Sequence, residues 1–111
     1  MLDHVRRRAL RTAVADRFRA QVDATRELAA IPSVRGAEGP ALDHMADLGR
    51  LRGLDVDDWT TTVCELAHLP GFAPLEGAET VRSVVASHRP NGADGRALIL
   101  QGHVDVVPPG P

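Results

Sequence analysis

Apolar residues in the first third of the chain recur every four positions. Leu10, Val14, Phe18 and Val22 form one stripe, which Leu28 and Ala29 extend. From Asp3 to about Ala30 there is no Pro or Gly, and Ala, Arg and Leu dominate, so the stripe predicts one long amphipathic helix. Asp3 is its expected N-cap, and Pro32 ends it by holding Ile31 extended. Pro32 to Pro40 is dense in turn formers and reads as a loop. Pro40 suits the first position of a second helix, whose apolar edge is Leu42, Met45, Leu48 and Leu51 and whose C-terminal cap is Gly53. The rhythm then changes to two. Leu54 and Val56 alternate with Asp55 and Asp57, predicting a strand with one wet face that runs to about Trp59.

Thr60 to Ala78 is irregular, broken by Pro70, Gly71, Pro74 and Gly77. His68, among Leu66, Leu69 and Phe72, belongs in that reading to a loop packed on the surface. Thr80 to His88 is β-branched and predicts a second strand. Arg89 to Gly95 is turn-rich, with Asn91-Gly92 its strongest signal, and the uninterrupted apolar run Ala97–Leu100 predicts a third strand. Such a run fits a strand covered on both faces, returning beside the second as a hairpin-like antiparallel pair. The order is α-α-β-β-β, an α/β class with two helices and a partial sheet.

Composition narrows the function classes. Hydrophobic residues make up 43% and charged residues 25%, ordinary for a globular domain. Net charge is -2, which gives no global electrostatic case for nucleic acid or a membrane surface. All 13 basic residues are arginine. Arg6, Arg7, Arg8 and Arg11 are interleaved with Asp3, Asp16, Asp23 and Glu27, which reads as a solvated helix face rather than a polyanion patch. The lone Cys64 excludes an internal disulfide, fits a reducing compartment and reads as a small buried residue. No apolar run is long enough to span a bilayer and no signal peptide is visible, so the expected compartment is cytoplasmic.

The chemistry concentrates at the end of the chain. After the apolar run come His103 and Asp105, and in an extended chain residues two apart face the same side. A neutral imidazole can give one nitrogen to a metal while an acidic neighbour holds the other N–H and fixes the tautomer. Pro108 and Pro109 then force a loop. His44 reads as an exposed helix residue beside the apolar edge. The triplet Asp55, Asp57 and Asp58 lacks the glycine and further oxygen ligands of a calcium loop.

The string Leu98-Ile-Leu-Gln-Gly-His-Val-Asp-Val-Val-Pro-Pro-Gly-Pro111 resembles the first metal-binding segment of the dinuclear-zinc amidohydrolases that include acetylornithine deacetylase and succinyl-diaminopimelate desuccinylase. Leu28-Ala-Ala-Ile-Pro-Ser-Val-Arg-Gly-Ala-Glu38 resembles the family's loop between its first two helices, and Glu65-Leu-Ala-His-Leu-Pro-Gly-Phe72 resembles a segment of its deacylases.

The resemblance implies that residues 1–111 are the N-terminal portion of a zinc-peptidase-like catalytic domain, a piece of a larger enzyme. It implies two zinc ions, with cobalt as a substitute. Their shared water, deprotonated by a glutamate, attacks an amide carbonyl of an N-acylated amino acid or related small amide, or of a dipeptide. It makes His103 a metal ligand and Asp105 the active-site carboxylate that steadies its imidazole. The bridging aspartate, the general-base glutamate and the remaining ligands have no counterpart here, so these residues alone are expected to be inactive. For the full-length protein it leaves a homodimer open. The competing expectations are a non-catalytic binding or assembly module of the same fold and an Arg-rich interaction segment over residues 6–19.

Overall fold

A computed structural model describes residues 3–73, 77–91 and 95–110. The predicted breaker Pro74 and the Gly92 of the Asn91-Gly92 turn lie outside the described residues. The chain divides into two compact units, Met1–Ile31 and Pro32–Pro111.

The first unit holds two helices, α1 (His4–Asp16) and α2 (Phe18–Ala29), where the apolar stripe predicts one. Asp3 caps α1 as expected, its carboxylate accepting from the Arg6 N–H at 2.8 Å. The break is at Arg17, with φ -100° and ψ 2°, and its N–H donates to the Val14 carbonyl three residues back. That is a tightened turn between two α-helical stretches. Val5, Leu10, Val14 and Phe18 are all exposed, so no packed face keeps the stripe in one straight register.

The second unit begins with the loop that the turn formers predict. Within it the Ala37 N–H donates to the Val34 carbonyl at 2.8 Å, closing a reverse turn around Gly36, whose φ of +87° only glycine adopts freely. Helix α3 (Gly39–Leu51) follows, with Pro40 in its first turn. It closes on a Schellman motif: Gly53, at φ +71°, donates to the Arg50 carbonyl and Leu54 to the Gly49 carbonyl. Strand β1 (Asp55–Thr62) leads into the short helix α4 (Val63–Leu66), and β2 (Thr80–Ser87) returns antiparallel to β1, from Asp55 opposite Ser87 to Thr62 opposite Thr80. The class is mixed α/β, with a two-stranded sheet.

Alternation along the paired strands gathers Val56, Asp58, Val84, Ala86 and Arg82 on one face, and α3 packs against the sheet there. Its enclosed residues are Ala41, Ala46 and Gly49, not the predicted edge. The reason lies in the helical period. Leu51 is nine residues after Leu42 and so about 180° around the helix, and it is 83% exposed. The close approach instead uses small residues: an ideal Cβ at Gly49 would sit 2.9 Å from Val56 Cγ2 and 3.3 Å from Ala86 Cβ.

Arg82 locks the same contact electrostatically. Its Nε and Nη2 lie 2.8 and 2.7 Å from the two Asp58 oxygens, and Nη2 also reaches Asp43 of α3 at 2.8 Å. The bonded guanidinium holds the Asp58 carboxyl below its ordinary range, while the two carboxylates raise Arg82. Asp58 is thus committed to an arginine across the sheet, and by alternation it faces away from Asp55 and Asp57.

Three further expectations are corrected. The run Ala97–Leu100 has no strand partner among the described residues, and Leu98, Ile99 and Leu100 are 80%, 89% and 86% exposed. The antiparallel pair is therefore β1 with β2 rather than the second strand with a third. An apolar run becomes a covered strand only where neighbours bury both faces, and this sheet has two strands. Cys64 is exposed rather than buried, because α4 is a single turn at the end of β1; its Sγ lies 3.2 Å from Thr62 Oγ1. His44 is half-buried in α3 rather than exposed, and its Nε2 is enclosed without a hydrogen-bond partner among the described residues. His68 is exposed.

Candidate metal-binding site

His103 and Asp105 do not stand at the end of a central strand. They lie in extended chain held by the loop before α3, at the opposite end of the second unit's sequence. The Ser33 hydroxyl donates to the Val104 carbonyl at 2.8 Å, and the Val106 N–H donates to the Ser33 carbonyl at 2.9 Å. Val34 and Val106 form an isolated parallel bridge. The two stretches thus touch across 71 residues of sequence. Ser33 is only 4% exposed, the enclosed polar side chain among the described residues. In the sequence Ser33 is one turn former among several between Pro32 and Pro40. The Pro-Ser-Val string was its only signal, and nothing local distinguishes a hydroxyl that turns its own chain from one that reaches a distant segment.

The spacing of two does bring the imidazole and carboxylate together. His103 Nδ1 lies 2.9 Å from Asp105 Oδ1 and 3.2 Å from the Asp105 backbone oxygen. Both oxygens accept, so Nδ1 carries the hydrogen and, in the neutral ring, Nε2 keeps its lone pair. The His103 side chain is 83% exposed, which leaves that lone pair accessible. A carboxylate in this position sets the tautomer of a neutral imidazole. Borderline cations such as Zn²⁺ take such a nitrogen readily.

The fit to zinc is that of one ligand with its supporting carboxylate. Catalytic zinc uses about three protein ligands, and among the described residues no three His, Cys, Asp or Glu side chains converge. Asp58 is engaged by Arg82, and Glu65 closes the capping box of α4, accepting from the Thr62 hydroxyl at 2.6 Å and its N–H at 2.9 Å. Those bonds, the hydroxyl's first, hold Glu65 below the ordinary glutamate range. Among the described residues no helix is long and apolar enough to cross a membrane. Comparison with family models, curated proteins and solved structures finds no match to this chain.

Proposed function

We propose that this chain supplies one histidine and its orienting carboxylate to the metal centre of a zinc-dependent amidohydrolase acting on N-acylated amino acids or related small amides. The observation that carries the reading is the 2.9 Å contact between His103 Nδ1 and Asp105, which leaves Nε2 as the free donor atom on an exposed ring. The Gly-His-Val-Asp-Val-Val-Pro string supports it by resemblance, and the docking of that string on the Pro-Ser-Val loop supports it by joining two of the three similar patches.

When bound, zinc polarises an amide carbonyl and lowers the pKa of a water. The residues here have two tasks in that chemistry: His103 donates Nε2, and Asp105 holds the ring so that Nε2 rather than Nδ1 is offered. The remaining ligands and the general base would come from outside the described residues. Hydrolysis of N-acetyl amino acids by the full-length protein, assayed with and without zinc, tests this proposal. Wild type should be active only with metal, and His103→Ala should lose more than the about 10–100-fold that loss of an outer-shell partner costs. Full activity of His103→Ala overturns the reading.

A further inference from the structure

The carboxylate that orients His103 is itself oriented by a residue far away in sequence. Asp105 is flanked by two peptide groups, one ending in the Val104 carbonyl and the other in the Val106 N–H. Ser33 binds both. Its hydroxyl takes the carbonyl at 2.8 Å and its own carbonyl takes the N–H at 2.9 Å. Fixing the two peptide planes on either side of a residue fixes its φ and ψ, and so the direction of its Cα–Cβ bond.

Ser33 is in turn held from behind. The Gly36 turn closes two residues later, Glu38 Oε1 accepts the Gly36 N–H at 2.8 Å, and α3 starts immediately after. The hydroxyl is enclosed, and the Val104 it binds is half-buried, so water competes poorly for that bond.

Building on the reading of His103 and Asp105 as a metal-binding pair, we propose that Ser33 is a positioning residue for that pair: by clamping both peptide groups of Asp105 it aims the carboxylate at His103 Nδ1 and thereby selects the tautomer that leaves Nε2 free. The backbone half of the clamp is open to any residue at position 33, but the side-chain half needs a hydroxyl. Alanine at 33 leaves one bond of two, so Asp105 turns more freely and the imidazole relaxes toward the Nε2–H form that exposed histidines favour.

The test is long-range ¹H–¹⁵N correlation of the imidazole nitrogens in the 111-residue chain at a pH where the rings are neutral. Wild type should show His103 as the Nδ1–H tautomer. Ser33→Ala should shift its tautomer ratio by about five-fold toward Nε2–H, the worth of one neutral hydrogen bond. The other histidines and the β1–β2 cross-strand NOEs should stay unchanged. A merely structural role would move those signals too.

Ser33→Thr and Ser33→Val, equal in shape and different in the hydroxyl, repeat the comparison if the alanine variant fails to fold. Threonine should keep the wild-type ratio and valine should lose it. An unchanged ratio in Ser33→Ala, or equal ratios for threonine and valine, overturns the clamp while leaving the metal reading intact. A wild-type His103 without the Nδ1–H signature removes the orienting role of Asp105, and with it the reading on which the clamp rests.

Discussion

A methyl group at position 49 would enter a close contact between helix and sheet in the second unit. Gly49 sits in the last turn of α3 over Val56 of β1 and Ala86 of β2, which are partners across the sheet. The added Cβ would lie 2.9 Å from Val56 Cγ2 and 3.3 Å from Ala86 Cβ, against about 3.5–4.0 Å for favourable carbon–carbon contact. Two effects oppose each other. Alanine gains about 1 kcal/mol over glycine in a helix interior, and less in the last turn. Overpacking costs about 1–3 kcal/mol where neighbours cannot yield.

Here they yield poorly, because Val56 is β-branched with a stiff χ1 and the Ala86 methyl has no rotamer to change. The clash wins, and Gly49→Ala should destabilise the chain by about 1 kcal/mol. Equilibrium urea unfolding followed by the fluorescence of Trp59, the single tryptophan and a β1 residue, reads this directly. Shortening Val56 to alanine removes the closer contact, so a double-mutant cycle between positions 49 and 56 should show a favourable coupling of about 1 kcal/mol. A raised urea midpoint for Gly49→Ala, with no coupling to Val56→Ala, would refute the reasoning and mean that α3 rides higher above the sheet.

Acid should weaken the second unit through two carboxylates. Asp58 and Glu65 both have folded pKa values lowered from 3.8 and 4.5, so the stability they add is present above those values and is lost as pH falls through the lower folded ones. Urea midpoints should therefore fall below about pH 4.5, and the fall should flatten in Arg82→Leu, which frees Asp58; an unchanged acid limb in that variant would count against the ion pair. Asp3→Ala removes the hydroxyl-free carboxylate cap of α1 and should cost about 1 kcal/mol of local helix stability, read as lost amide-exchange protection over residues 6–8, with α3 unaffected. Cys64, being exposed, should react stoichiometrically with a thiol reagent in the native chain; protection until unfolding would contradict its placement.

What the chain reveals before it is folded depends on how local the cause is. The caps were legible because each is a short-range pattern: Asp3 before the first helix, and Gly53 in the left-handed position after α3. Both paired strands were legible from their alternation and β-branching, although β1 runs three residues past Trp59 to Thr62. The edge of α3 was misread because three-residue spacing of large apolar residues looks periodic while drifting around the helix, and the small residues that make the contact carry little hydropathy signal.

The Ala97–Leu100 run was misread for a different reason. Hydrophobicity says that a segment needs covering, not that a partner strand is present to cover it. At the candidate site the proximity of His103 and Asp105 followed from spacing alone, whereas Ser33 reaches Val104 across 71 residues and no local rule contains that contact.

The most direct test of the account is zinc titration of the ¹⁵N-labelled chain, followed at the imidazole nitrogens of its five histidines. His103 Nε2 should shift first and furthest, weakly in affinity because one ligand acts without its fellows, and Asp105→Asn should remove its lead over the other four. A titration in which His4, His44, His68 or His88 responds ahead of His103, or in which Asp105→Asn changes nothing, would contradict it.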